Sequence, residues 1–144
     1  MDPKVGTIVY GLDFSNDSTK FVACGSNGAV DGKISLYSVS HTTTWANLTA
    51  NSLSLNPISG STVPIDCRIS PIDGKIAVNT PTTVLFYNSA LTSLISYPMA
   101  AITFTNIMFD TLDSYLYFAG TSSTKFYRIE ISTGTISSLN GPST

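Results

Sequence analysis

A chain of 144 residues that is 42% apolar and carries a net charge of −2 is long enough for one domain with a real core and too apolar to stay disordered. Charged residues make up only 11%, and the few Lys and Arg are scattered, which excludes the basic footprint of a nucleic-acid binder. No run of about 18 apolar residues offers a membrane span.

The polar residues are of an unusual kind. There are 21 serines and 19 threonines, while Glu130 is the sole glutamate. Such a chain is short of the straight-chain polar residues that suit exposed helix faces and rich in β-branched and aromatic ones, so an all-β fold is expected.

The first predicted unit spans residues 5–48. Its leading strand, Val5 to Phe14, carries apolar residues at Ile8, Tyr10, Leu12 and Phe14, an alternation that predicts one buried face. Ser15-Asn16-Asp17-Ser18 is a polar turn of residues that bond their own backbone. Phe21 to Cys24 and Ile34 to Val39 follow as strands, and Thr44 to Leu48 is the expected outer one. Residues 49–62, with Asn56-Pro57 and Ser59-Gly60-Ser61, read as a surface loop.

The second unit spans residues 63–97. Ser70-Pro71-Ile72-Asp73-Gly74-Lys75 is the clearest hairpin signal in the chain, with Pro to open the turn and Gly to close it. Thr83 to Asn88 and Leu94 to Tyr97 complete the unit. A helical turn at Met99-Ala100-Ala101 is the alternative for the stretch 98–105.

The third unit spans residues 103–139, with strands Thr103 to Phe109, Tyr115 to Gly120, Lys125 to Ile131 and Thr135 to Leu139. The chain then stops where a fourth unit would begin. Phe14, Ile69 and Phe109 occupy matching places, 55 and then 40 residues apart. All-strand repeats of about 40–50 residues point to propeller blades.

These residues resemble the WD40-like and YVTN-like β-propeller repeats. Ser70-Pro71-Ile72-Asp73-Gly74-Lys75 is similar to that family's Ser-Pro-Asp-Gly-Lys turn, with one residue inserted. Tyr37-Ser38, Tyr87-Asn88 and Ile129-Glu130 stand where the family usually places Trp-Asp. The Trp-Asp pair itself is missing from all three units, and so is the Gly-His pair. The resemblance implies three four-stranded antiparallel blade-like units, a partial propeller. Rings usually close with about four to eight blades, so it also implies a fragment of a longer chain, a half-ring completed by a second copy, or a module packed on another protein, with a compact three-unit sandwich as the remaining alternative.

Chemistry is sparse. His41, the only histidine, falls in the turn Ser40-His41-Thr42 and reads as solvated. Asp17, Asp73 and Asp113 recur in the strand-joining turns, where Asp caps its own backbone. No phosphate loop, nucleophile elbow or dinucleotide fingerprint is present; no catalytic residue, metal site or cofactor is assigned. Cys24 and Cys67 read as small buried hydrophobes, with a bridge between neighbouring units as the alternative. The triplets at Asn16 and Asn47 are no more than the about two or three glycosylation acceptors that arise by chance at this Ser/Thr content.

Four residues stand out as candidate contacts. Asp66 and Arg68 lie two apart on one strand and share a face; they line a central channel if that strand is innermost, and otherwise form an exposed ion pair worth little. Trp45, on the expected outer strand, and Tyr97 are amphipathic rings suited to protein contacts or sugar stacking. The function expected is a non-catalytic structural or protein-interaction module, partnered by further blades, by another protein or by its own copy. An extracellular carbohydrate-binding module is the alternative. Residues 1–6 lack the apolar core of a signal peptide, while the Ser/Thr-rich surface leans towards an extracellular setting; the compartment stays open.

Overall fold

A computed structural model describes residues 8–26, 32–39, 49–54, 63–92, 94–99, 104–120 and 125–141, with the backbone alone for 49–54, 94 and 104. The described residues contain twelve strands and no helix. Accordingly, no helix among them is long and apolar enough to cross a membrane.

The strands form three antiparallel four-stranded sheets, each a meander in chain order. Sheet 1 holds β1 (Ile8–Phe14), β2 (Lys20–Ser26), β3 (Gly32–Ser38) and β4 (Thr49–Ser54). Sheet 2 holds β5 (Asp66–Ile69), β6 (Ile76–Asn79), β7 (Thr83–Tyr87) and β8 (Leu94–Pro98). Sheet 3 holds β9 (Phe104–Phe109), β10 (Tyr115–Gly120), β11 (Lys125–Glu130) and β12 (Ile136–Asn140). None closes on itself. The leading strands β1, β5 and β9 lie side by side, so the sheets follow one another in series.

The registers make the three sheets equivalent around their first hairpins, with register shifts further along at Val9/Gly11 in sheet 1 and Phe118/Gly120 in sheet 3. Phe21, Ile76 and Leu116 each pair with the last residue of the leading strand, namely Phe14, Ile69 and Phe109. From there, alternation divides each sheet into two faces. Phe21 and Tyr37 match Ile76 and Tyr87 and then Leu116 and Ile129 on the face towards the preceding sheet. Val22, Ile34 and Leu36 match Ala77, Val84 and Phe86 and then Tyr117, Phe126 and Arg128 on the face towards the following one.

Packing follows these faces. Between sheets 1 and 2, Val22, Ile34 and Leu36 meet Ile76, Val78, Leu85 and Tyr87. Between sheets 2 and 3, Ala77, Val84, Phe86 and Met99 meet Ile107, Leu116, Phe118 and Ile129. Sheet 2 is apolar on both faces because it is covered on both, which is why β6 and β7 read as unbroken apolar runs. At about 25 cal/mol per Å2 of apolar surface, these two layers are the principal stabilising feature of the fold.

Two expectations need correction. The outer strand of sheet 1 is β4, Thr49–Ser54, paired with β3 from Ser38↔Thr49 to Lys33↔Ser54. That stretch was expected to be loop, and the expected strand at 44–48, with Trp45, lies outside the described residues, as do His41 and Asn47. Backbone pairing with β3 defines this strand, and its sequence, Thr-Ala-Asn-Ser-Leu-Ser, has too little apolar alternation to announce it.

The second correction concerns β1. Leu12 and Phe14, expected to be buried, are 47% and 48% exposed. Their equivalents Cys67, Ile69 and Ile107 are buried by the preceding sheet; sheet 1 is first in the series, and its buried leading-strand residue is Gly11. Met99 is a buried core residue directly after β8, with its N–H bonded to the Thr82 carbonyl at 2.8 Å; the alternative of a helical turn at 99–101 reaches into residues 100–103, which lie outside the described residues.

Candidate functional site: the seams and the open face of sheet 3

The seams between sheets are stitched by polar side chains that reach backbone groups of the next leading strand. Asp13 on β1 accepts the Ile69 N–H at 2.9 Å. Asp66 on β5 accepts the Ile107 N–H at 3.0 Å through Oδ2, and its Oδ1 accepts the Cys67 N–H at 2.9 Å. Arg68 pairs with Asp66 at 3.0 Å and donates from Nε to the Ile107 carbonyl at 3.0 Å. It also donates from Nη1 to the Leu12 carbonyl at 3.4 Å. One side chain therefore ties β5 to strands on both sides.

Asp66 and Arg68 do share a face, but they are not an exposed pair. Asp66 is 2% exposed, and burial pushes its carboxyl above the ordinary value, against the Ile107 N–H, the Arg68 charge and the Cys67 N–H, which favour the anion. A buried charge is tolerated only when paired and hydrogen-bonded, and Asp66 is both. Gly11 makes room for it: a Cβ there would lie 2.7 Å from Asp66 Oδ1 and 2.7 Å from the Cys67 nitrogen, closer than non-bonded atoms approach.

Tyr97 is likewise a seam residue. Its hydroxyl donates to the Ile131 carbonyl at 2.9 Å, and its ring covers Gly134, whose φ of +73° and lack of a Cβ are both required there. The ring packs edge-on against Phe86 with centroids 5.8 Å apart. At the hairpin tips, Asp17 accepts the Thr19 N–H at 3.0 Å and Asp73 the Lys75 N–H at 3.0 Å. Bonds from the Ser15 hydroxyl and then from Thr19 hold the Asp17 carboxyl below its ordinary value. Burial opposes ionisation of Asp73, but bonds from Lys75 and Ser70 and the Lys75 charge together outweigh it and lower the value.

The third hairpin divides these roles differently. Asp110 takes the capping role, accepting from Ser114 and Tyr115 at 2.8 and 3.0 Å. Asp113, at φ +54°, instead reaches across the seam to the Ser70 hydroxyl and to the Asp73 N–H at 3.4 Å. Only the side chain's direction separates the two, and spacing along the chain does not report it.

Cys24 and Cys67 are free thiols buried in the layer between sheets 1 and 2; burial, with the Cys24 thiol beside it, pushes the Cys67 thiol well up. Among the described residues, no three His, Cys, Asp or Glu side chains converge as metal ligands.

Among the described residues sheet 3 is the last of the series, and its following face is exposed. Met108 is 65% exposed, Phe126 52% and Leu139 72%; with Tyr117, Ala119 and Arg128 they line a concavity of about 910 Å3. The Arg128 guanidinium lies over the Tyr115 ring, 4.4 Å from its centroid, and its Nε donates to the Ser137 hydroxyl at 3.0 Å. Sequence reasoning missed this face, because its signal is the matching of Tyr117, Phe126 and Leu139 to Ala77, Val84 and Tyr97, and that matching needs the register. In comparisons with known proteins, no family model matches the chain, and no curated protein matches it.

Proposed function

We propose that the chain is a non-catalytic structural or protein-interaction module of β-propeller type, its three sheets being consecutive WD40-like or YVTN-like blades of a larger ring or assembly. The observation that carries this reading is the repetition of one seam. Equivalent face positions serve between sheets 1 and 2 and between sheets 2 and 3, and the same positions stand uncovered on sheet 3. Large exposed apolar faces mark interaction sites, whereas Asp13, Asp66, Arg68 and Asp113 are spent on stitching the seams together. The function assignment rests on architecture and on this face.

Light scattering after size exclusion, with an apolar dye, tests the reading. The chain is expected to bind dye through sheet 3, and Phe126→Asp with Leu139→Asp to reduce that binding several-fold without loss of stability, the remainder falling to the exposed Leu12 and Phe14 of sheet 1. A monomer that binds no dye contradicts the proposal. A carbohydrate-binding reading draws on the half-exposed Tyr117 and Phe126 rings of the same face; glycan-array binding lost in Tyr117→Ala would support it over the first, and array silence would remove it.

A further inference from the structure

We propose that the bare face of sheet 3 is the docking site for a fourth four-stranded antiparallel sheet with an aliphatic–aromatic preceding face, supplied from outside these 144 residues. This rests on the module reading above and names its partner. The argument is continuity with two interfaces already present in the chain. In sheet 1 the positions facing onward are Val22, Ile34 and Leu36, and in sheet 2 they are Ala77, Val84 and Phe86; each set is buried by the next sheet. In sheet 3 the corresponding residues are Tyr117, Phe126 and Arg128, with Leu139 beside Phe126 at the position of Tyr97.

The leading strand continues the pattern. By count back from the strand ends at Phe109 and Ile69, Asn106 matches Asp66 and Met108 matches Arg68, although β9 carries a register shift opposite Phe118–Gly120 that β5 lacks. Both are exposed. Asn106 thus offers an amide carbonyl where Asp66 offers a carboxylate to the next strand's N–H. Arg128, the charge that this face of sheet 3 presents among the described residues, does not oppose an apolar partner, because it is engaged within its own sheet by Tyr115 and Ser137, and Arg68 at the margin of the concavity is engaged by Asp66 and the Ile107 carbonyl.

A second copy of the chain does not fit the site as well. It would have to present the preceding face of its own sheet 1, where Phe21, Ala23 and Tyr37 are already 4%, 3% and 2% exposed and the open residues Leu12 and Phe14 belong to the leading strand. A sheet like sheet 2 presents the right chemistry, since Ile76, Val78, Leu85 and Tyr87 already pack on the onward face of sheet 1.

The test extends the full chain with a second copy of its residues 63–99 and reads hydroxyl-radical oxidation of Met108, Tyr117 and Leu139. Docking predicts a several-fold fall in oxidation of all three relative to the unextended chain, restored by Phe126→Asp. Unchanged oxidation overturns the inference, whether the added unit folds apart or stays unfolded. A doubled mass with Met108 already protected in the unextended chain also overturns it, in favour of a second copy. Amide exchange at Ile69 and Ile107 separates the two failures: if those amides are unprotected the module reading itself falls, and if they are protected while Met108 stays reactive only the fourth sheet does.

Discussion

The buried carboxylate of Asp66 accepts the Ile107 amide proton at 3.0 Å, and this bond joins the leading strands of sheets 2 and 3. The same carboxylate holds Arg68. Asp66→Ala leaves the Ile107 N–H and the guanidinium without their anion, and breaking such a buried pair costs about 3–5 kcal/mol. Urea unfolding should show a loss of that order, with Arg68→Ala in the Asp66→Ala background costing much less than in the native chain.

Gly11 is predicted to be as sensitive as its charged neighbour. A methyl group there meets Asp66 and the β5 backbone, and overpacking of this kind costs about 1–3 kcal/mol. Thermal and urea unfolding of Gly11→Ala check it; an unchanged midpoint would mean that β1 and β5 are not in close approach.

The division into three all-strand units was legible because Ser15, Ser70 and Asp110 open hairpins that return at Lys20, Lys75 and Tyr115, and turn chemistry is local. The outer strand of sheet 1 was not legible, since β4 carries little apolar alternation. The roles of Asp66, Arg68 and Tyr97 were half legible: a shared strand face follows from parity, but burial depends on a neighbouring strand 41 positions along the chain, as in the Asp66–Ile107 bond. Leu12 and Phe14 misled for the same reason, because their burial requires a preceding sheet.

Two carboxyls give opposite pH signatures. Asp66 holds its proton more tightly folded than unfolded, so the stability this contributes is full below about pH 4 and is lost as pH rises through the folded value. The stability of Asp66→Asn relative to the native chain should therefore rise with pH across that window and level off above it. Asp73 is shifted the other way, so its contribution is present above about pH 4 and is lost as pH falls; Asp73→Asn should gain on the native chain only in more acid solution. Urea titrations from pH 2.5 to 7 read both.

Tyr87 buries its hydroxyl without a hydrogen-bond partner among the described residues, and burial pushes the phenol up to about 12. Leaving a buried polar group unsatisfied costs about 1–3 kcal/mol, so Tyr87→Phe should stabilise the chain by about 1 kcal/mol. In alkaline spectrophotometric titration, the substitution should remove a phenol that ionises near 12.

Cys24 and Cys67 should resist thiol reagents in the native chain, because both are fully buried and the thiolate is the reactive form. Labelling followed by mass spectrometry should proceed only at the rate of unfolding; fast native labelling would show that the layer between sheets 1 and 2 opens.

The most direct measurement is native-state amide exchange at Ile69 and Ile107. Their protons are held by Asp13 and Asp66 across the two seams, and protection there depends on the sheets being packed in series. The series arrangement predicts that both exchange only with global unfolding, and that Asp13→Ala and Asp66→Ala each expose the matching amide. Rapid exchange at both positions, with β6 and β10 still protected, would show three sheets that fold without seams and would contradict the account.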